Sequence, residues 1–228
     1  MNYFIIHESS NPDIVGGDFP QAYKFIKGYN PDSENALFSI YKYKTTFPDF
    51  VPNLDGIMLS GFAKVTDFVS HGFLSSSFIV SEKAKSIFEK YKLCTHRFYP
   101  LGLYKRGKKY DYSLLKVISD YSDFVDYNKS TFFEYNISSR KNYGAVSVSS
   151  KEDLLQKIKM VEEKTGKISQ TIWGDNIVMN ESFDKELDFF IISRINANTY
   201  ISERLKNDIE CNGLTGWDFI PASNLTIL

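Results

Sequence analysis

Cysteine and histidine are scarce in this chain. Only Cys94, Cys211, His7, His71 and His96 occur among its 228 residues. None of them falls in a CxxC, HxxxH or HExxH spacing, so residue order gives no sign of a metal site. Two cysteines cannot build a disulfide framework, and a reducing compartment is the simpler reading. A GxSxG elbow and a glycine-rich phosphate loop are missing as well; Gly16-Gly17 is a lone pair in a turn. No catalytic residue and no cofactor is implied.

Long apolar runs are also missing. No segment approaches the roughly 20 apolar residues a membrane span needs. The opening MNYFIIHESS has no basic n-region and reads as a strand. The expectation is a cytoplasmic protein without a membrane partner. Excess charge is lacking too: the net charge is −1, which argues against a whole-molecule platform for nucleic acid.

Aromatic residues, by contrast, are plentiful, with 19 Phe and 15 Tyr. Charge is concentrated locally. Lys83 to Lys109 holds nine basic residues against one acid, and Asp175 to Asp188 holds five acids against one Lys. The bland reading of both is solvated surface; the functional one is steering of a charged partner.

One passage occurs twice. SEKAKSIFEKYKLCTHRFYP (81–100) and SERLKNDIECNGLTGWDFIP (202–221) align without a gap and agree at seven positions. Ser81 and Ser202 suit helix N-caps, because the hydroxyl can accept from a free first-turn amide. Glu82 and Glu203 place negative charge at the positive end of the helix dipole. Ala84, Ile87, Phe88 and Tyr91 then form a buried stripe, partly repeated by Leu205 and Ile209. Gly213 suits a left-handed helix end. Both copies run into a short strand, 98–100 and 219–221, that Pro is expected to terminate. Each copy is a strand–helix–strand unit. His96 aligns with Trp217, which argues for packing there and not for a ligand.

Elsewhere, LFSIYKY (37–43) reads as a half-buried strand, 62–69 as amphipathic, and 112–118, 131–137, 143–149 and 189–195 as strands. Ser150 to Glu163 is the clearest helix, with Ser150 and Asp153 as a capping-box variant and Gly166 beyond its end. Strands and helices without a regular βαβ cadence predict an α+β fold with mixed or antiparallel sheets. Two lobes, 1–110 and 111–228, are expected to share an interface or to form one domain.

Candidate chemistry is thin. Ser81 and Ser202, with a basic residue two positions on, resemble a Ser-Lys nucleophile, but capping explains them without catalysis. Lys85 and Lys206 fit cations lying over an apolar face. In TIWGDNIVMNESFD (171–184), Trp173, Asp175, Asn176 and Glu181 could surround a ligand; a turn at Gly174-Asp175-Asn176 is the simpler reading. Lys105-Arg106-Gly107-Lys108-Lys109 is first a hairpin tip and only second a phosphate-binding cluster.

YISERLKNDIECNGLTGWDFIP resembles the C-terminal signature of a bacterial immunity-protein family found beside polymorphic secreted toxins. FIVSEKAKSIFEKY, RFYP and YSLLKVI are similar to its central signature. The resemblance covers residues 60–130 and 187–221; Lys92-Leu93-Cys94-Thr95 replaces Gly-Leu-x-Gly in the first copy. It implies a non-enzymatic protein that binds and neutralises a partner toxin inside the producing cell. On that reading, the contact surface is expected at the acidic stretch with Trp173, Asp175, Glu181, Asp184, Glu186 and Asp188, or at DYSDFVDY with Asp123, Asp126 and Tyr127. The competing reading is a small-ligand protein or enzyme with a cleft near Trp173 and Asp175. Nucleic-acid binding through Lys83 to Lys109 is a third and weaker one.

Overall fold

The computed structural model describes residues 2–118, 120–166, 169–196 and 198–228. The chain starts with β1 (Tyr3–Glu8), the one-turn helix α1 (Pro12–Val15), β2 (Ala22–Phe25), a 3-10 turn at Leu37–Lys42, β3 (Asp55–Leu59) and β4 (Phe68–Val69). Next come β5 (Ser77–Ser81), α2 (Glu82–Phe88) and the long hairpin of β6 (His96–Lys105) and β7 (Lys108–Val117). A second 3-10 turn, Tyr121–Phe124, leads to β8 (Phe132–Asn136), β9 (Lys141–Val146), α3 (Lys151–Thr165), β10 (Gln170–Gly174) and β11 (Ile177–Met179). The remaining elements are β12 (Phe189–Ile191), β13 (Thr199–Ser202), α4 (Glu203–Cys211), β14 (Trp217–Pro221) and β15 (Leu225–Ile227).

Two sheets carry the duplicated passages. The larger has strand order β2-β3-β6-β7-β5-β4, and the other β12-β13-β1-β14. Within the first, the run β4-β5-β7-β6 matches the whole of the second. In each, a serine-capped helix joins two strands that flank a third, which is β7 in one sheet and β1 in the other. The flanked strand follows the unit directly in the first case and comes from the other end of the chain in the second. A three-stranded sheet β10-β8-β9 and the parallel pair β11-β15 complete the α+β architecture.

Side-chain alternation along the larger sheet creates two cores. Val69, Ile79, Tyr99, Leu101, Leu103 and Leu114 face the N-terminal segments, including Leu37, Ile40 and Leu54. Phe68, Val80, Leu115 and Val117 face the second unit and join Phe88, Phe189, Tyr200 and Trp217. Trp217 stacks on Phe68 with ring centroids 3.8 Å apart, while its aligned counterpart His96 lies edge-on to Phe98.

The capping prediction holds at both helices. Ser81 Oγ accepts from the Ala84 amide at 3.1 Å, and Ser202 Oγ from the Leu205 amide at 3.3 Å. In α3, Ser150 caps Asp153 and Gly166 closes the helix with φ 63°. The reciprocal arm of this capping box is displaced, since Asp153 Oδ2 accepts from the Ser149 amide at 2.8 Å. Lys105 to Lys109 does form a hairpin tip, with positive φ at Arg106 and Gly107, as a two-residue loop between twisted strands requires.

Other expectations are corrected. Residues 37–42 form a 3-10 turn and not a strand, because Ala36 pairs with Asn53 only as an isolated bridge and no strand lies alongside. The amphipathic look of 62–69 reflects an irregular loop that ends in the two-residue β4. The strand within 189–195 stops at Ile191, and 192–195 turns back on itself. Pro100 does not end its strand. It sits within β6, whose parallel partner β3 first pairs at Gly102, so at Pro100 that edge asks for no amide.

Candidate functional site

The two stretches singled out for partner binding lie side by side. The Asn180 amide donates to the Phe124 carbonyl and the Asp126 amide to the Val178 carbonyl, both at 2.7 Å. Thr131 and the 175–176 bend exchange further backbone bonds at 2.9 Å. Beneath them, the Phe183 ring packs against Tyr121, Phe124 and Phe190 with centroids 5.0 to 6.4 Å apart. Short polar side chains set the local turns by accepting from amides two residues on: Asp120 from Ser122, Asn180 from Ser182 and Asp184 from Glu186. One continuous face results.

Most of its acids are already paired. Asp184 meets Lys92 at 2.6 Å, and that bond holds its carboxyl below the usual range. Asp126 is likewise held low by Lys129. Lys151 bridges Asp120 and Asp123, and Arg204 reaches Glu186 at 3.7 Å. Asp175 and Glu181 are exposed and form no ion pair among the described residues.

Two predicted contact residues are withdrawn from this face by burial. Asp188 is 0% exposed; its carboxylate accepts from Ser202 Oγ, from the Lys92 amide and from Arg204 Nε and Nη2. Tyr127 is buried, stacked on Phe132, and donates to the Ser122 carbonyl. Trp173 is half-buried on β10, opposite Phe133, with its ring against Tyr135. The Asp175–Asn176 segment is the expected bend between β10 and β11. Exposed positions are thus Asp123, Asp175, Glu181 and Glu186, with Asp126 and Asp184 half-exposed.

Groups with chemical potential elsewhere are engaged in structure. Both capping serines also donate to a carboxylate, Ser81 to Asp67 and Ser202 to Asp188. Lys85 lies over the Phe98 ring, and Lys206 over Phe4 and Phe219. His71 Nδ1 accepts from the Phe73 amide, so the ring proton sits on Nε2 and is directed at the Ser77 carbonyl. Burial pushes the His71 pKa down to about 4. Lys105 and Arg106 hold the Ala63 and Gly61 carbonyls, which ties the basic hairpin tip to a neighbouring loop. Cys94, which is buried, and Cys211, which is exposed, are not joined in a disulfide. Among the described residues, no group of three or more His, Cys, Asp or Glu is placed to hold a metal ion, and no helix is long and apolar enough to cross a membrane.

Sequence reasoning missed the partners of the capping serines. Asp67 and Asp188 share the same 121-residue offset as the repeat, so extending the alignment upstream reveals Asp-Phe in both copies. The loop after each helix docks on the opposite Asp-Phe pair. The Cys94 amide donates to the Phe189 carbonyl, and the Phe68 amide to the Thr215 carbonyl.

No curated protein matches the chain. The model of the immunity protein family Imm11 matches residues 29–224, a span that includes both capped helices and the whole acidic face. With well over half of its length matched, the chain belongs to the Imm11 immunity protein family.

Proposed function

We propose that the chain binds a cognate secreted toxin and neutralises it in the cytoplasm of the bacterium that makes both, by occlusion and not by catalysis. The observation that carries this reading is the family match across residues 29–224. The engagement of the serines, lysines and His71 in capping and packing adds support. We further read the two capped helices as copies of one unit, on the strength of the bonds they share.

The contact surface, on this proposal, is the acidic face. Many toxin domains act on nucleic acid and carry basic surfaces, which an acidic face would oppose. Asp175 and Glu181 have the most charge to offer, since among the described residues neither is shared with a Lys or Arg. Charges at the rim of an interface act mainly on the association rate.

The test starts with affinity capture from lysate and reconstitution of the captured pair from purified components. A stoichiometric complex that restores growth to toxin-arrested cells is expected; an active toxin with no complex would overturn the toxin reading. Asp175→Lys with Glu181→Lys should weaken the complex at least tenfold at low salt, chiefly through slower association. Wild-type affinity in that variant would rule out the acidic face while leaving the toxin reading intact.

A further inference from the structure

Among the described residues, two charged side chains are buried: Asp188 at 0% exposure and Lys116 at 7%. The first is fully answered, by Arg204, Ser202 and a backbone amide. The second is not. Among the described residues Lys116 Nζ has one bond, to the Ser75 carbonyl at 3.3 Å. Directly across the β6–β7 ladder stands Arg97, a second cation, whose guanidinium lies over Phe47 and donates to the Pro48 carbonyl. Like charges placed opposite each other on neighbouring strands repel, and a buried ammonium without a counter-charge is costly. Burial pushes the Lys116 pKa below its ordinary value.

Lys116 lines a cleft of about 480 Å³ enclosed by the 40–45 segment, the end of β7, α3 and the turn at Ser193–Arg194. Two more cations, Lys44 and Arg194, belong to the same wall. The single acid lining it, Asp120, already bonds to Lys151 at 3.2 Å and to Arg194 at 3.5 Å. Tyr41, Tyr43, Leu155 and Ile158 supply the aromatic and apolar wall. One buried and two exposed cations on the lining of a cleft that also has an apolar wall, where separate parts of the molecule meet, are a composition suited to an anionic ligand.

We infer that this cleft binds a small organic anion, with a carboxylate or phosphate head at Lys116, Lys44 and Arg194 and an aromatic or apolar body against Tyr41, Tyr43 and the α3 face. The site adjoins the acidic partner face, sharing Asp120 with it, but does not depend on the toxin reading. Neither Trp173 nor Asp175, where the competing cleft was expected, lines this one.

The test is calorimetric titration and thermal melting of the full chain with phenyl phosphate, benzoate and inorganic phosphate, with ionic strength matched by sodium chloride. Saturable binding of phenyl phosphate or benzoate is expected, tighter than inorganic phosphate because only the organic anions reach the apolar wall. Loss of a charge-assisted hydrogen bond in Lys116→Met should weaken binding at least tenfold. The same variant should melt no lower than wild type without ligand, because Met keeps most of the apolar stem and removes an unanswered charge. Arg194→Gln, at an exposed position, should also weaken binding and covers the case in which Lys116→Met does not fold. Lys159→Met, whose side chain is 76% exposed on the outer part of α3, should leave binding unchanged. Absence of saturable binding at millimolar concentration would overturn the inference. So would wild-type affinity in both Lys116→Met and Arg194→Gln.

Discussion

Asp67 and Asp188 occupy matching places in the two capped-helix units and receive matching bonds. Each accepts from the capping serine through Oδ1, and each backbone carbonyl accepts from that serine's amide at 2.8 Å. Each takes a further amide at Oδ2 from the loop after the opposite helix, Thr215 in one case and Lys92 in the other. The tyrosine of the flanked strand donates to the carbonyl just before each Asp, from Tyr112 to Thr66 and from Tyr3 to Leu187. The surroundings differ. Asp67 is half-exposed, and Lys83, aligned with Arg204, donates to the Asn212 carbonyl instead. Asp188 is wholly buried and held by both Nε and Nη2 of Arg204. The same hydrogen-bond pattern can therefore be finished by water or by a guanidinium, and burial decides which is needed.

Breaking the two carboxylates should separate the units most. Asp188→Ala leaves Arg204 and Ser202 without their buried acceptor and should cost about 3–5 kcal/mol. Asp67→Ala, where water can step in, should cost about 1–2 kcal/mol. Urea denaturation of both variants measures the gap, and equal losses would refute the contrast drawn from burial.

The glycines sharpen the comparison next. Gly216 has φ 109°, and a Cβ there would lie 2.0 Å from the Phe68 carbonyl oxygen. Its counterpart in the first unit is the exposed Thr95. Gly216→Ala should cost about 2–4 kcal/mol through strain and backbone collision. Thr95→Ala should change stability by no more than about 0.5 kcal/mol.

A third difference lies at the end of the flanked strands, where Val117 in one sheet corresponds to Glu8 in the other. Burial pushes the Glu8 carboxyl up to about 7 from its ordinary 4.5, and its bond from the His71 amide offsets this only in part. Between pH 4.5 and 7 the folded chain retains a proton that the unfolded chain releases, so Glu8 lowers stability as pH rises. His71 acts in the opposite sense between about 4 and 6.5, where the unfolded chain binds the extra proton. Glu8→Gln should remove the first slope and leave stability rising by roughly 2–3 kcal/mol from pH 4 to 6.5 before levelling. Denaturation at several pH values tests this; an unchanged profile would place the carboxyl in water.

The smallest effect is expected at the caps. Ser81→Ala should cost about 1 kcal/mol. Ser202→Ala should cost about 1 kcal/mol more, because it also strips a donor from a dry carboxylate. Equal melting temperatures for the two variants would count against that added term.

The helices were legible because their determinants are local: Ser150, Gly166 and the two Ser-Glu pairs act within one turn. The strand expectations at 131–137 and 143–149 also meet β8 and β9 to within a few residues. The 37–43 segment misled because alternation reports which faces are wet, and a 3-10 turn resting on Leu37 and Ile40 produces a similar pattern. The equivalence of Tyr3 and Tyr112 was hidden because the flanked strand is supplied from opposite directions along the chain. The acidic stretches were visible as composition, but their counter-ions Lys92, Lys129, Lys151 and Arg204 come from four different segments. Tertiary structure alone brings those together. Lys116 stood unnoticed in an ordinary-looking strand.

The origin of β1 has a consequence for the order in which the molecule can be built. The sheet around β7 draws its matching strands from residues 68–117 and can close as soon as that stretch has been synthesised. The sheet around β1 pairs Tyr3 with Ser202 and Phe4 with Pro221. β1 therefore waits for partners about two hundred residues later in the chain, as contacts of high sequence separation do. Until then Phe4, Ile5 and Ile6 form an unpaired apolar edge, and β1 is the segment most open to a chaperone or to a premature partner.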